Sequence, residues 1–167
     1  MNFGRILRHF STGHMAVRQT FPEAALTAIE KAIEKSEASH QGEIRFAVEA
    51  ALNTLPLLKD QSGRERAVEV FSHLRVWDTE HNNGVLVYLL LADRDVEIIA
   101  DRGINARVRS EEWEGICRQM EAAFVQGQFE SGVISGIEAI GRYLREHFPA
   151  EAAGGENELP DRPVILG

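Results

Sequence analysis

Residues 78–104 read DTEHNNGVLVYLLLADRDVEIIADRGI, a stretch in which polar residues flank two apolar runs. Residues 84–91 are apolar on both faces, which is typical of a central strand covered by helices on each side. Residues 92–95 have the composition of a turn, and residues 96–100 form a second run of strand length. Because the connection is so short, the two strands are predicted to form an antiparallel hairpin.

The segments around the hairpin predict the layers of the fold. Residues 43–50 alternate between apolar and polar side chains, which predicts a further strand. Apolar residues at helical spacing predict helices that begin near Thr20, Ser62, Ser110 and Ser131. A strand–helix–strand crossover implies parallel pairing. The order helix-strand-helix-strand-strand-helix-helix therefore predicts an α/β fold, a three-layer α/β/α sandwich on a small mixed sheet.

Local signals predict where helices begin and end. Thr20 with Glu23, and Ser62 with Glu65, have the spacing of a capping box, in which two side chains satisfy free N–H groups at a helix start. Gly42 follows the first of these helices and is predicted to terminate it in a left-handed conformation.

The composition excludes several classes of protein. A net charge of −8 argues against a nucleic-acid partner, which needs a basic face, and is compatible with a cationic ligand. The single cysteine, Cys117, excludes a disulfide framework, and its place on an apolar helix face predicts a small core residue. No stretch reaches the roughly 18 apolar residues of a membrane span, and residues 1–14 lack the apolar run of a secretory signal. A cytoplasmic location is therefore expected.

The chain is expected to divide into an arm at residues 1–19, a domain at residues 20–149 and a tail at residues 150–167. The arm combines apolar residues at helical spacing with basic residues. The apolar residues are Phe3, Ile6, Leu7 and Phe10, and the basic ones are Arg5, Arg8 and His9. Two interpretations are open: a terminal helix that docks on the body or frays, and a basic amphipathic arm that touches a membrane or a protein partner. The last apolar residues of the tail, 164–166, are candidates for docking on the body.

Residues 82–104, which begin Asn-Asn-Gly-Val-Leu-Val, resemble the TPM domain of thylakoid lumen proteins, photosystem II repair proteins and many bacterial proteins. Gly127, Phe129 and Gly132 extend the resemblance, which covers roughly residues 21–148. It implies an α/β/α sandwich, binding of a divalent metal and an acid-phosphatase-like activity. The chain departs from the family pattern at residues 101–105, where the family usually has Gly-x-Gly-Leu-Glu, and at Ser110, where it often has an aspartate.

The hairpin also predicts which polar groups meet. A two-residue turn at residues 93–94 would place Asp101 opposite Leu86. The turn at residues 101–103 would then lie beside the loop at residues 78–83.

The side chains at this edge of the sheet predict a calcium or magnesium site, with Asp78, Glu80, Asn82, Asn83 and Asp101 as ligands. Such hard cations are bound by several carboxylate, amide or carbonyl oxygens. Glu43 joins the edge if its strand is a parallel neighbour, and Arg102 is the candidate phosphate ligand. Each of these residues also has an ordinary structural interpretation, such as a helix cap for Asp78 or a surface ion pair for Asp101 with Arg102.

A second candidate group lies at the other end of the central strand, where Asp93, Arg94 and Asp95 are expected near Glu49 or Asn53. Ligands of open α/β sheets often bind beyond the carboxyl ends of strands. Turn preference alone selects the same residue types, so both interpretations stay open.

Two functions are compatible with these patterns. The first is a binding or accessory module that assists the assembly or turnover of other proteins, with a partner-facing apolar patch at Phe3, Phe10 or residues 164–166. The alternative is a weak metal-assisted phosphatase. His73 and His81 are candidate metal ligands. The sequence contains no phosphate loop, and no Ser-His-Asp signature can be assigned.

Overall fold

The computed structural model describes residues 2–152 and 154–167, so Met1 of the predicted arm and Ala153 of the predicted tail lie outside the described residues. The helices are α1 (Phe3–Ser11), α2 (His14–Thr20), α3 (Glu23–Glu37), α4 (Thr54–Leu58), α5 (Gly63–His73), α6 (Arg102–Asn105), α7 (Ser110–Val125) and α8 (Phe129–His147). The strands are β1 (Glu43–Glu49), β2 (Gly84–Leu90), β3 (Asp95–Ala100) and β4 (Val164–Leu166).

The strands form one mixed sheet in the order β3-β2-β1-β4. Strand β1 runs parallel to β2 and to β4, whereas β2 and β3 are antiparallel. Every residue of β1 and β2 is buried, as expected for central strands with helices on both faces. The predicted α/β class and the mixed sheet are therefore confirmed.

Alternation along the strands separates two hydrophobic cores. Val85, Val87 and Leu89 face the larger core, which contains residues of α3, α7 and α8. Leu86, Tyr88 and Leu90 face the smaller core, which contains residues of α4 and α5. Side chains of one strand point alternately to the two faces of the sheet, so β2 supplies both cores.

Both ends of the chain pack on the body. Val17 of α2 is fully buried in the larger core. The predicted docking of residues 164–166 is confirmed, because they form β4, with Val164 paired to Ala47 and Leu166 to Glu49. No helix in the described part of the chain is both long and apolar enough to span a bilayer.

The predicted hairpin is confirmed, but its two-residue turn is wrong. Leu90 pairs with Asp95, so residues 91–94 form the connection, and Asp101 faces Gly84 instead of Leu86. The backbone N–H groups of residues 91 and 92 donate to carbonyl groups of residues 49 and 50. These bonds hold residues 91 and 92 against the end of β1, beyond the last pair between β2 and β3, which lengthens the turn.

Two of the predicted helix signals also need correction. Thr20 does not cap α3; it ends α2 and donates its hydroxyl to the carbonyl of Ala16 at 2.7 Å. Gly42 is not in the left-handed region; its lack of a side chain is needed because a Cβ there would lie 2.5 Å from Leu144 Cδ2. The capping box of Ser62 with Glu65 is confirmed at the start of α5.

Candidate cation site

The amino ends of β1 and β2 lie side by side at one edge of the sheet. Parallel pairing places Glu43 beside Gly84, and the Glu43 N–H donates to the carbonyl of Asn83 at 3.3 Å. The Gly103 N–H donates to the carbonyl of Asn82 at 2.8 Å. The loop at residues 78–83, the turn at residues 101–103 and the start of β1 therefore meet, as the sequence predicted.

The side chains predicted as ligands in this loop and turn have different surroundings. Asp78 is exposed and forms a 2.9 Å ion pair with Arg75. Asn82 is exposed, whereas Asn83 is fully buried and its side-chain nitrogen and oxygen have no hydrogen-bond partner. Asp101 caps α6, with Oδ1 accepting from the N–H of residue 102 at 2.8 Å, and its Oδ2 is buried without a partner. The role of these side chains as metal ligands stays a prediction.

A compact acidic group lies beside this loop. Among the described residues, one set of three potential ligands has its donor atoms all within 4.8 Å of one another: Glu37, Glu43 and Asp161. We call this set the carboxylate trio. Glu37 is the last residue of α3, Glu43 is the first residue of β1, and Asp161 belongs to the tail just before β4.

Hydrogen bonds fix two members of the carboxylate trio and leave oxygen atoms free. Glu37 Oε1 accepts from the Ile44 N–H at 2.8 Å, and Glu43 Oε1 accepts from the Glu158 N–H at 2.6 Å. Glu43 is only 3% exposed, and its Oε2 is buried without a hydrogen-bond partner. Asp161 Oδ1 is likewise buried without a hydrogen-bond partner. A buried carboxylate oxygen without a donor is costly, so these atoms need a proton or a cation.

The electrostatics of the carboxylate trio also indicate that its oxygen atoms need a proton or a cation. Burial and the neighbouring charges of Glu43 and Asp161 raise the pKa of Glu37, and burial raises the pKa of Glu43. The nearby Arg45 is 7% exposed, and its Nη1 donates to the carbonyl groups of Pro160 at 2.6 Å and Arg162 at 3.2 Å. Full ionisation of the carboxylate trio beside one guanidinium would leave an excess of two negative charges, so the carboxyl groups retain protons unless a cation such as one divalent ion neutralises them.

The carboxylate trio forms part of the wall of an open cleft of about 670 Å³. Eight lining residues are acidic, and no lysine or arginine belongs to the lining that the structure describes. His81 and the exposed Glu80, both predicted ligands, also line this cleft. His40 does not offset the negative charge, because burial lowers its pKa to about 4 and keeps the ring neutral. Oxygen donors in an acidic cleft fit a hard cation such as calcium or magnesium.

The other end of the central strands carries a satisfied ion pair. Glu49, the last residue of β1, accepts from the Tyr88 hydroxyl at 2.5 Å and from two nitrogens of Arg66 at 2.9 and 3.0 Å. Burial raises the pKa of Tyr88. Because the Glu49 carboxylate is bound on both oxygens, these contacts have a structural role in joining β1, β2 and α5.

Other predicted candidates are placed away from the cleft. Asp93 lies in the hairpin turn and contacts α1 through Arg5, Arg8 and His9. Arg94 is exposed, with a left-handed φ of 51°. Burial raises the pKa of the half-buried Cys117 to about 12, in agreement with the prediction of a packing residue.

Sequence reasoning included Glu43 only as a secondary candidate and missed Glu37 and Asp161. One local signal exists for Glu37: it is an acidic residue in the last turn of a helix, where the helix dipole disfavours negative charge. No local signal marks Asp161, since only the docking of the tail brings it to α3 and β1.

Comparisons with known proteins agree with this architecture. The chain matches the TPM domain over residues 17–143. It is 31% identical to BA42 from the psychrophilic bacterium Bizionia argentinensis, whose NMR structure it matches with a TM-score of 0.75 over 86% of this chain and 93% of that one. The N-terminal domain of the cg2496 protein from Corynebacterium glutamicum, solved by NMR, has a TM-score of 0.53 at 12% identity, over 87% of this chain and 79% of that one, and shows the fold alone. The comparison with curated proteins gives no match. The family match and the similarity to BA42 show that this chain belongs to the TPM-domain family.

Proposed function

We propose that this TPM-domain protein is a non-catalytic accessory module that binds one divalent cation, calcium or magnesium, through the carboxylate trio. The observation that carries the proposal is the Glu43 carboxylate, which is 3% exposed and has one oxygen without a hydrogen-bond partner beside two further carboxylates. A cation at this point would satisfy the free oxygens and would remove the repulsion between the three groups.

Cation binding at this position would also fasten the tail to the body. Asp161 is a tail residue, and the Glu158 N–H and the carbonyl of Pro160 already bind Glu43 and Arg45 of β1. A ligand that binds Asp161 together with Glu37 and Glu43 stabilises the docked tail over the detached one, because the complete set of ligands exists only when β4 is in the sheet.

Titration with calcium and with magnesium should raise the melting temperature of the wild-type protein and shift amide resonances near Glu37, Glu43 and Asp161. We expect Glu43→Gln to weaken cation affinity by about tenfold or more, because it removes a charged ligand and keeps the shape of the side chain. Calcium should also slow amide hydrogen exchange in β4, since the bound cation holds the tail.

Asp101→Asn is the matched control, because it alters a predicted ligand outside the carboxylate trio. We expect this variant to bind the cation like the wild type. If Asp101→Asn abolishes the response and Glu43→Gln does not, the cation site is the loop-and-turn set predicted from the sequence. If Glu43→Gln and the wild type respond alike, the proposed site is wrong.

The stability of the cation-free protein should depend on pH through the carboxylate trio. The folded-state pKa values of Glu37 and Glu43 are raised, so the unfolded chain releases these protons first as pH rises above about 4.3. Their contribution to stability is therefore largest at low pH and is lost as pH rises towards the folded-state values. In chelator at pH 8, Glu43→Gln should melt above the wild type by about 3 °C, and the difference should shrink at pH 5.

The wild type and Glu43→Gln share all other groups that could affect the pH profile, such as the neutral His40. The difference between their melting temperatures therefore isolates the effect of Glu43. Calcium should reverse the difference at pH 8, because it binds the ionised wild-type cluster and replaces the protons. A wild-type protein that melts above Glu43→Gln in chelator at pH 8 would contradict the assignment of raised pKa values.

Hydrolysis of phosphate esters is the alternative function implied by the family resemblance. The acidic cleft works against it, since a phosphate ester is anionic and the cleft lining includes no arginine or lysine in the described part of the chain. Arg102, the predicted phosphate ligand, is exposed and does not belong to that lining. An assay with a phosphate monoester, with and without calcium or magnesium, separates the two functions; metal-dependent turnover that Glu43→Gln abolishes would favour the hydrolase.

A further inference from the structure

Helix α1 is attached to the body mainly through polar side chains, with Ile6 packed against the smaller core. Arg5 donates from Nε to Asp93 Oδ2 at 2.9 Å and from Nη2 to the carbonyl of Gln61 at 2.7 Å. The His9 side chain is 1% exposed, with Nδ1 accepting from the Leu52 N–H at 3.0 Å and Nε2 lying 3.1 Å from Asp93 Oδ1. These contacts require a proton on Nε2 and hold the helix in a defined orientation.

The opposite face of α1 is apolar and points away from the body. Phe3, Leu7 and Phe10 have the spacing of one helix face and are 80%, 71% and 67% exposed. A surface helix usually buries its apolar stripe and exposes its charges. Here the arrangement is reversed, because the buried histidine and the Asp93 ion pairs hold the polar face inward. A contiguous apolar face of this kind marks an interaction surface.

The surroundings of this face carry positive charge in an otherwise acidic protein. Residues 2–22 contain three arginines and neither aspartate nor glutamate, whereas the whole chain has a net charge of −8. The Arg8 side chain contacts Asp93 and the Ala92 carbonyl but is still 56% exposed, and His14 and Arg18 of α2 are exposed. An apolar helix face flanked by basic residues is complementary to a membrane surface that contains anionic lipid.

We propose that α1 is a peripheral membrane anchor, which inserts Phe3, Leu7 and Phe10 into the interface of an anionic bilayer while Arg8 and Arg18 contact lipid headgroups. The body then stays outside the bilayer, attached through Asp93. This contact needs no spanning segment, and it is reversible, because a few apolar side chains and weak charge attraction supply all of the binding.

The small size of the apolar face of α1 favours a lipid partner over a second copy of the chain. A nine-residue helix is about 13 Å long. Three side chains on such a helix cover far less than the roughly 800 Å² per partner of a stable protein–protein interface. A bilayer has no such minimum area, since each inserted side chain contributes separately.

Flotation with lipid vesicles tests the anchor. The full-length protein, in chelator to keep the cation site out of the result, is mixed with vesicles of phosphatidylcholine alone or of phosphatidylcholine with phosphatidylglycerol. We expect the wild type to float with the mixed vesicles and to remain free with the neutral ones. The triple variant Phe3→Gln, Leu7→Gln, Phe10→Gln should bind the mixed vesicles with an affinity that is lower by about tenfold or more.

The double variant Val68→Gln, Val125→Gln is the matched control, because it removes apolar side chains that are 50% and 70% exposed outside the arm. We expect it to float like the wild type, and both variants to melt like the wild type. The proposal is overturned by equal flotation of the triple variant and the wild type, by no flotation of the wild type, or by equal binding to neutral vesicles. A wild-type dimer that the triple variant loses would assign the face to a second copy instead.

Discussion

Arg66→Met is expected to destabilise the protein by about 3 kcal/mol, the lower end of the cost of removing one partner from a buried ion pair. Glu49 is 4% exposed and receives two hydrogen bonds from Arg66, so the variant leaves a buried carboxylate with only the Tyr88 hydroxyl as a partner. Methionine retains most of the side-chain volume, so the loss measures the ion pair and not a cavity. For a domain of this size, thermal melts should fall by about 6–12 °C.

Two further variants isolate the cause of this loss. Arg66→Lys keeps the charge and loses the bidentate geometry, so its stability should lie between those of the wild type and Arg66→Met. Glu49→Gln combined with Arg66→Met removes both charges and should recover part of the stability, because no uncompensated ion remains. If Arg66→Met melts within one degree or so of the wild type, the ion pair has no role in holding α5 to the sheet.

Gly84→Ala is expected to have an effect of similar size, roughly 3 kcal/mol, by overpacking at the start of β2. A Cβ at this position would overlap the carbonyl oxygen of Val76 and would lie 3.0 Å from Val76 Cγ1. The strand cannot move away easily, because the Gly84 carbonyl accepts from the Asp101 N–H at 2.9 Å and β2 is paired on both sides. The variant should lower both the melting temperature and the yield of folded protein.

Gly115→Ala is the control for this glycine. Gly115 lies within α7, where a Cβ would meet only Arg118 Nη2 at 3.9 Å. Alanine has the higher helix propensity, so this variant should gain about 0.5–1 kcal/mol. If Gly84→Ala folds with the stability of the wild type, the junction between β2 and the preceding loop has more room than the structure indicates.

Local patterns in the sequence were sufficient to predict the strands and the layers of the fold. The apolar residues 84–91 predict a central strand buried on both faces, and the alternating residues 43–50 predict a strand with one strongly buried face, although the structure buries every residue of β1. The short turn at residues 92–95 predicts the antiparallel hairpin, because parallel strands would need a much longer connection. The predicted meeting of the loop at residues 78–83 with the turn at residues 101–103 followed from that hairpin, even though the register was two residues away from the observed one.

The register itself depended on a contact outside the hairpin. Turn composition favours a short connection at residues 93–94, but the N–H groups of Leu91 and Ala92 bind carbonyl groups at the end of β1. This third strand competes with β3 for the same part of the chain. Hairpin signals in sequence describe two strands only, so they could not predict the longer turn.

The sequence by itself determined the α/β/α layers, the parallel crossover from β1 to β2 and the family, because these depend on hydrophobic periodicity and on motifs that are contiguous in the chain. Only the tertiary structure decided the register, the inverted orientation of α1 on Asp93, and the carboxylate trio of Glu37, Glu43 and Asp161. The physical reason is the same for all three. Each depends on hydrogen bonds or charges between elements that are distant in the chain. For the register these are β1 and the hairpin turn, for α1 they are the arm and Asp93, and for the carboxylate trio they are the tail, α3 and β1.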